Sequence, residues 1–337
     1  MSKIKKVLVT GAAGFIGSHL VEKLLEKKFK VKAFVRYNSS SNINWLNQIN
    51  HKNKNLKIIF GDITDPDSIT EAVSGCDAVI NLAAMISVPY SLKYPQSFID
   101  INVNGLLNLF RACKMKKNRI KKIIQISSSE VYGNVLNNGK KYLEEKDILS
   151  AESPYAASKI AADQLSLSMF KEYGLPVVVA RPFNTFGPRQ STRAVIPTII
   201  TQAIKSNKIK MGNINTSRDF LYVKDNVDAL TKLLISQNTN GQVFNISTQN
   251  SVKIKDVIQI LENHLSSKFT ITTNFSRLRT SEVFKLIGSN KKINKKINWK
   301  PNYSGKSGFK RALIETYDWF NEQKNLNMYK NISRYHI

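Results

Sequence analysis

Along the first half of the chain, short runs of β-branched and other apolar residues alternate with stretches whose apolar positions recur at helical spacing. The runs at 6–10, 30–35, 56–61, 78–82, 120–127 and 176–180 predict strands, and the spacing between them predicts helices over 16–27, 66–73, 100–115 and 154–173. Strands apolar on both faces cannot be left half-exposed, so the alternation predicts a parallel sheet with helices on both faces. Beyond Arg181 the pattern loosens into segments rich in Gly, Pro, Asn and basic residues before helices return. That change predicts a large α/β domain over 1–180, a smaller C-terminal lobe over most of 181–337, and a segment near 219–247 that rejoins the large domain.

Composition adds few constraints. Apolar residues make up 42% and charged ones 22% of 337 residues, which suits a folded chain with a large core. The two cysteines, Cys76 and Cys113, form no disulfide framework and have no metal-ligand spacing; they read as small buried hydrophobes in a reducing, cytoplasmic protein. The basic N-terminus precedes an apolar stretch, but three glycines interrupt it, so it does not read as a leader. No run approaches the ~18 apolar residues of a membrane span. The formal charge of +27 invites a nucleic-acid reading, yet the lysines are spread along the chain among asparagines rather than clustered with aromatics. A general Lys/Asn bias accounts for it at least as well, and no nucleic-acid partner is expected. His19, His51, His264 and His336 stand far apart without ligand spacing, so no metal is expected, and His19 reads as structural.

The first chemical signal is Val7-Leu-Val-Thr-Gly11-Ala-Ala-Gly14-Phe15-Ile16-Gly17, a strand running through a glycine turn into a helix. Glycines there allow the tight turn and the close approach of backbone to a pyrophosphate, while the helix N-terminus offers N–H groups to it. After the second strand the chain reads Phe34-Val35-Arg36-Tyr37-Asn38-Ser39-Ser40, with no acid to accept from a ribose 2′-hydroxyl. Arg36, with donors from Asn38 and Ser39, therefore favours NADP, with NAD open. Asp62 and Ile63 are candidates beside the adenine. Leu82, Ala83 and Ala84 are candidates along the cofactor.

The second signal is Ser153-Pro154-Tyr155-Ala-Ala-Ser-Lys159 at a helix start. The i, i+4 spacing puts phenol and ammonium on one face, where the cation lowers the phenol's pKa and makes tyrosinate accessible as a base. Upstream, Ser127-Ser128-Ser129-Glu130-Val131-Tyr132-Gly133 follows a strand, placing hydroxyls and a carboxylate at the ligand-binding edge of the sheet.

Together with Asn81-Leu82-Ala83-Ala84, Arg181-Pro-Phe-Asn184-Thr-Phe-Gly-Pro-Arg189 and Arg218-Asp-Phe-Leu-Tyr-Val-Lys-Asp225, these motifs resemble the extended short-chain dehydrogenases/reductases over essentially the whole chain. The resemblance implies a Rossmann doubly wound sheet with a substrate-binding lobe. It makes Ser128 the hydroxyl that binds the reacting sugar oxygen, Tyr155 the base, and Lys159 the residue holding tyrosine and nicotinamide ribose. It also implies a nucleotide-diphosphate sugar as substrate, contacted by Asn184 and Arg218, a tightly bound cofactor regenerated each turnover, and a homodimer or higher homo-oligomer. Arg189, Val195 and Arg279 are further substrate-side candidates, with Glu282 beside Arg279.

Within that family Glu130 resembles the glutamate of sugar 4,6-dehydratases, where the 4-ketone acidifies C5–H, the carboxylate takes that proton, and C6-OH leaves as water. Ser129 replaces an aspartate common at that place, which leaves the proton donor to C6-OH open between Glu130 and a water held by Ser129. Val35-Arg-Tyr-Asn-Ser39 and the stretch from Asn184 to Pro197 are most similar to 4,6-dehydratases of the legionaminic acid pathway, which implies UDP- or GDP-linked N-acetylglucosamine. UDP-glucuronate decarboxylase, with Arg189 or Arg193 facing the carboxylate, and C4-epimerase stay open as alternatives. So does a non-catalytic NAD(P)-binding or RNA-binding Rossmann protein, disfavoured by the presence together of Ser128, Tyr155 and Lys159.

Overall fold

The computed structural model describes residues 4–40, 42–49, 53–116, 119–134, 141–275 and 283–329. Seven strands form one sheet: β1 (Lys6–Thr10), β2 (Lys30–Arg36), β3 (Leu56–Gly61), β4 (Ala78–Asn81), β5 (Lys122–Ile126), β6 (Val177–Pro182) and, after four short strands described below, β11 (Val243–Ile246). Their order is β11-β6-β5-β4-β1-β2-β3 and every pairing is parallel. This is the Rossmann doubly wound sheet, with the order reversing between β1 and β4.

Alternation of side chains sends β1 to two separate cores. Val7 and Val9 pack with α1 (Phe15–Glu26), whereas Leu8 packs with α2 (Pro66–Val73) and α5 (Gly105–Met115) on the other face. The short helices α3 (Val88–Lys93) and α4 (Pro95–Ile99) lead into α5, and α6 (Pro154–Tyr173) covers the same face. The helix expected over 100–115 begins as a π-helical turn at Asp100–Asn104. There Asn102 is buried and clamps the chain after β4: its Oδ1 accepts from Met85 N–H at 2.8 Å and its Nδ2 donates to Met85 O at 3.0 Å and to Ser158 at 2.9 Å.

The rest of the chain is built from smaller units. β7 (Asn184–Phe186) pairs with β10 (Phe220–Tyr222), and β8 (Lys208–Met211) pairs with β13 (Thr270–Thr273). β9 (Ser217–Arg218) lies between β12 (Val252–Lys253) and β14 (Lys285–Leu286). Helices α7 (Val195–Lys205), α9 (Ile254–Leu265), α10 (Lys291–Ile297), α11 (Gly305–Asn321) and α12 (Gln323–Asn327) complete this part. Helix α8 (Val223–Ile235) packs on α1 and the sheet, and β11 follows it as the sheet's edge strand. Cys76 and Cys113 are buried in the core. Among the described residues no helix is long and apolar enough to cross a membrane.

The start of β1 is pinned by Asp77, whose Oδ2 accepts the N–H groups of Lys5 and Lys6, both at 2.9 Å. Burial opposes ionisation, but these N–H groups and the nearby Lys121 and Arg119 cations hold the carboxyl below its usual range. A carboxyl depressed in the folded state contributes stability above its unfolded pKa and loses it as pH falls through the folded one. Asp77→Ala is therefore expected to cost about 1–3 kcal/mol at neutral pH. In urea titrations across pH, the gap to wild type should narrow below about pH 4; a gap independent of pH would contradict this account.

Candidate active site

The glycine turn between β1 and α1 is shaped for close approach. Gly11 has φ +62°, and a Cβ there would lie 2.8 Å from Leu82 C; one on Gly17 would lie 2.2 Å from Gly11 O. Gly14 caps α1 with no side-chain hydrogen bond, so the N–H groups of the first turn, at Phe15 and Ile16, have no internal acceptor, and no acid sits in that turn. Backbone packed that closely beside uncapped N–H groups is a cradle for an anion, and it fits the pyrophosphate of a dinucleotide. Leu82, Ala83 and Ala84 lie half-buried beside Gly11.

On the adenosine side the side chains are less free than the sequence suggests. Arg36 is exposed at the end of β2, and Ser39 is exposed beyond it. Asn38, expected as a cofactor donor, is spent on its own turn: Oδ1 accepts from Ser40 and from Asn42 N–H, both at 2.8 Å, and Nδ2 donates to Asn42 O at 2.9 Å. Asp62 Oδ1 likewise takes the N–H and hydroxyl of Thr64, at 2.9 and 2.8 Å, while Ile63 is buried against Gly105. His19 also turns inward, Nδ1–H donating to Phe15 O at 2.9 Å; burial pulls its pKa down to about 4, so it is a neutral structural group at physiological pH.

The reacting groups gather beyond the end of β5. Ser128, with extended backbone, caps a short 3-10 turn (Ser129–Tyr132), and its Oγ accepts Glu130 N–H at 3.2 Å. The same hydroxyl hydrogen-bonds Tyr155. Ser129 is buried and Glu130 half-buried. Helix α6 opens at Pro154 behind a Ser153 cap that accepts from Ala156 N–H. Tyr155, Lys159 and Asp163 then follow at i, i+4 and i+8 on one face.

Lys159 Nζ donates to Ile126 O at 2.7 Å. Burial pulls Lys159 down to about 8, against the attraction of Asp163. Burial also pushes Tyr155 up to about 12, while Ser128 opposes that rise and the Glu130 charge adds to it. The cluster thus holds a phenol in hydrogen-bond contact with a serine hydroxyl, and carries an ammonium one helical turn along and a carboxylate close enough to be felt. That set can remove and return a proton at a bound hydroxyl and take a second proton elsewhere.

Beneath it lies a layer that the sequence reading did not single out. Asp163 and Arg181 form an ion pair at 2.8 Å with side chains 0% and 2% exposed. Arg181 also donates to Tyr132 Oη at 2.9 Å, and Tyr132 in turn donates to Asn245 at 2.7 Å. Asp163 had one readable signal, its place eight residues after Tyr155 on the face that carries the lysine.

On the substrate side, Asn184 sits on β7 with its Oδ1 buried and unpartnered among the described residues, as a ligand contact would require. Arg218 is half-buried on β9 and donates to Ser217 O at 3.0 Å, and Val195 begins α7 half-buried. Arg189 departs from expectation. It forms a two-point ion pair with Glu22 of α1, at 2.7 and 3.0 Å, and also donates to Ser18 at 3.2 Å. Its guanidinium ties the loop after β7 to the cofactor helix through both terminal nitrogens, while its buried Nε has no partner among the described residues. Arg279 and Glu282 lie outside the described residues.

Removing one partner of the Asp163–Arg181 pair leaves a buried charge uncompensated, so Arg181→Met is expected to cost about 3–5 kcal/mol. Adding Asp163→Leu to it should recover a large part of that loss in guanidinium titrations. An additive double variant would mean the two side chains do not share their energy.

The chain matches the sequence family described as GDP-mannose 4,6 dehydratase over residues 8–312. It is 31% identical over 323 residues to GDP-6-deoxy-D-mannose reductase of Pseudomonas aeruginosa, covering 94% of this chain and 97% of the relative. Among solved structures it is similar to UDP-N-acetylglucosamine 4-epimerase from Methanobrevibacter ruminantium M1 in complex with UDP-N-acetylmuramic acid, at TM-score 0.83 and 35% identity over 96% of this chain and all (100%) of that one. It is also similar to dTDP-glucose 4,6-dehydratase from Bacillus anthracis str. Ames in complex with NAD, at TM-score 0.81 and 28% identity over 95% and 97% of the two chains.

Proposed function

Since the chain belongs to the GDP-mannose 4,6-dehydratase family, we propose that it is a nucleotide-sugar 4,6-dehydratase acting on UDP- or GDP-linked N-acetylglucosamine. The observation that carries this reading is Glu130, half-buried in a turn whose capping hydroxyl, Ser128, also bonds the phenol of Tyr155. A base alone suffices for exchange at C4. Elimination across C5 and C6 needs a second proton acceptor, and Glu130 is a carboxylate at that place.

Bound NAD(P)+ supplies the hydride acceptor at C4 and the hydride donor that later reduces C6. Ser128 and Tyr155 hold the C4 hydroxyl, and Tyr155 takes its proton. Burial and the Glu130 and Asp163 charges keep the phenol protonated at rest, and Lys159, four residues along the same helix face, is the cation proposed to stabilise the tyrosinate as the proton leaves. Glu130 takes the proton from C5, made acidic by the neighbouring ketone, and that proton passes, directly or through a water held by Ser129, to the C6 hydroxyl, which departs as water. Arg218, as a cation, and Asn184, through its amide N–H2 group, line the approach for the nucleotide diphosphate, while the unpartnered Asn184 Oδ1 is open to a donor on the substrate. The exposed Arg36, with no acid at the end of β2, favours NADP over NAD.

The C4-epimerase reading has one observation in its favour, the 35% identity to the UDP-N-acetylglucosamine 4-epimerase. Under that reading Glu130 has no task. Decarboxylation is disfavoured, because Arg189, one of two arginines able to meet a C6 carboxylate, is committed to Glu22.

Incubation with UDP- and, separately, GDP-N-acetylglucosamine, with no added reductant, is expected to give a product lighter by one water, with no net change in NADP(H). A product of unchanged mass and new stereochemistry would make the enzyme an epimerase. Glu130→Gln is expected to lower dehydration by about 10²–10⁴-fold while C4 oxidation, read as nicotinamide absorbance in a single turnover, persists. Arg36→Ala should weaken NADP binding about tenfold or more and leave NAD binding nearly unchanged by fluorescence titration; equal losses for both would remove the preference for NADP.

A further inference from the structure

A chain of buried polar side chains crosses the carboxyl edge of the sheet and ends on the carbonyl that holds Lys159. Ala83 N–H donates to Thr10 Oγ1 at 3.1 Å, and the Thr10 hydroxyl donates to Asn81 Oδ1. Asn81 Nδ2 donates to Gln125 Oε1 at 2.7 Å, and Gln125 Nε2 donates to Ile126 O at 3.1 Å. Lys159 Nζ donates to that same carbonyl at 2.7 Å. Thr10, Asn81 and Gln125 are 0%, 2% and 2% exposed, on three neighbouring strands at the core of a sheet that is otherwise apolar there.

The direction of the chain is fixed from one end. A backbone N–H can only donate, so Thr10 Oγ1 accepts from Ala83 and must send its own proton to Asn81. That sets which way the Asn81 amide faces, which in turn sets Gln125. Gln125 then presents N–H rather than C=O to Ile126. One lone pair of the Ile126 carbonyl is taken by this amide, and the other is left for the lysine. The ammonium is held at one site and cannot sink further toward the sheet, where a second acceptor would otherwise be open. The first link starts at the strand end that opens the glycine turn, so the cofactor cradle and the lysine are tied through the same hydrogen bonds.

We propose that Thr10, Asn81 and Gln125 are positioning residues, a one-way hydrogen-bonded relay that couples the cofactor loop to Lys159 and fixes the place of its ammonium beside Tyr155. This rests on the proposed dehydratase chemistry only for its effect on turnover; the relay's effect on Lys159 is independent of any substrate. Removing the Gln125 donor makes Ile126 O a better acceptor for the ammonium. It also removes the positive end of an amide dipole from the ammonium's neighbourhood, so Lys159 should hold its proton more tightly.

The test is carbon-13 NMR of lysine side chains in the purified full-length protein, titrated from pH 6 to 11, with the Lys159 resonance identified by its loss in Lys159→Met. Buried Lys159, near 8, titrates apart from surface lysines. Gln125→Met is expected to raise its midpoint by about half a unit or more. Thr10→Val, four hydrogen bonds away, should shift it in the same direction by less, whereas Thr10→Ser, which keeps the hydroxyl, should leave it in place. With a nucleotide sugar that turns over, kcat should fall several-fold in Gln125→Met and Thr10→Val with KM unchanged. If Gln125→Met does not fold, the Thr10→Val and Thr10→Ser pair decides the matter alone. Midpoints unmoved in every folded variant, even with lowered melting temperatures, would reduce the chain to packing and overturn the proposal. If no nucleotide sugar turns over, the dehydratase reading fails while the NMR midpoints still judge the relay.

Discussion

Every pairing in the seven-stranded sheet is parallel, so all strands point their carboxyl ends toward one edge, and the rest of the molecule is arranged around that constraint. With helices on both faces, strand interiors must be apolar, as Val7 to Val9 and Val177 to Ala180 are. Toward that edge polar side chains enter the sheet: Thr10 closes β1, Asn81 closes β4, and Gln125 is the last residue but one of β5. The glycine turn, Ser128 and Asn184 all lie just past strand ends. The edge is thus the place where backbone N–H and C=O groups leave the ladder and need new partners, and a bound ligand can be one of them.

The catalytic helix brings a second constraint, which is electrostatic. Lys159 and Arg181 are two buried cations, and Asp163 is the buried anion set against both. That one carboxylate attracts both cations. Burying charge is costly, and burial is what lowers the pKa of Lys159, against the attraction of Asp163. Tyr155 feels the opposite: burial and the Glu130 and Asp163 charges push its phenol up to about 12, so it rests protonated. The destabilised ammonium and the protonated phenol are two consequences of the same burial, and Asp163 limits its cost at Lys159.

The parts of this that the sequence made legible share a property: they are local. The β1 glycine turn, the i, i+4 Tyr155–Lys159 pair and the serine run after β5 are each contained in a few consecutive residues, and periodicity located the strands and helices around them. What escaped depends on contacts across the fold. Arg189 read as a substrate contact because its motif stands near the site; that Glu22 lies opposite it, on a helix 167 residues earlier, is visible only once α1 and the loop after β7 are packed together. The roles of Asn81 and Gln125 were hidden likewise, since strands 44 residues apart had to become neighbours before their amides met. The bonds of Asn38 and Asp62 were hidden on a finer scale, since short polar side chains bond their own turns as readily as a cofactor.

The three relatives named above are a reductase, an epimerase and a dehydratase on one framework, so the reaction is set by a few groups around a shared base rather than by the fold. In this chain those groups are tied to one another by Ser128. Its hydroxyl caps the turn that carries Glu130 and bonds the phenol of Tyr155. That serine therefore contacts both groups, the turn that carries the carboxylate and the base held on α6. The 3-10 turn serves this purpose better than a longer helix would. It is short enough for a single cap to fix all of it, and Val131 and Tyr132, both fully buried, anchor its far end in the core.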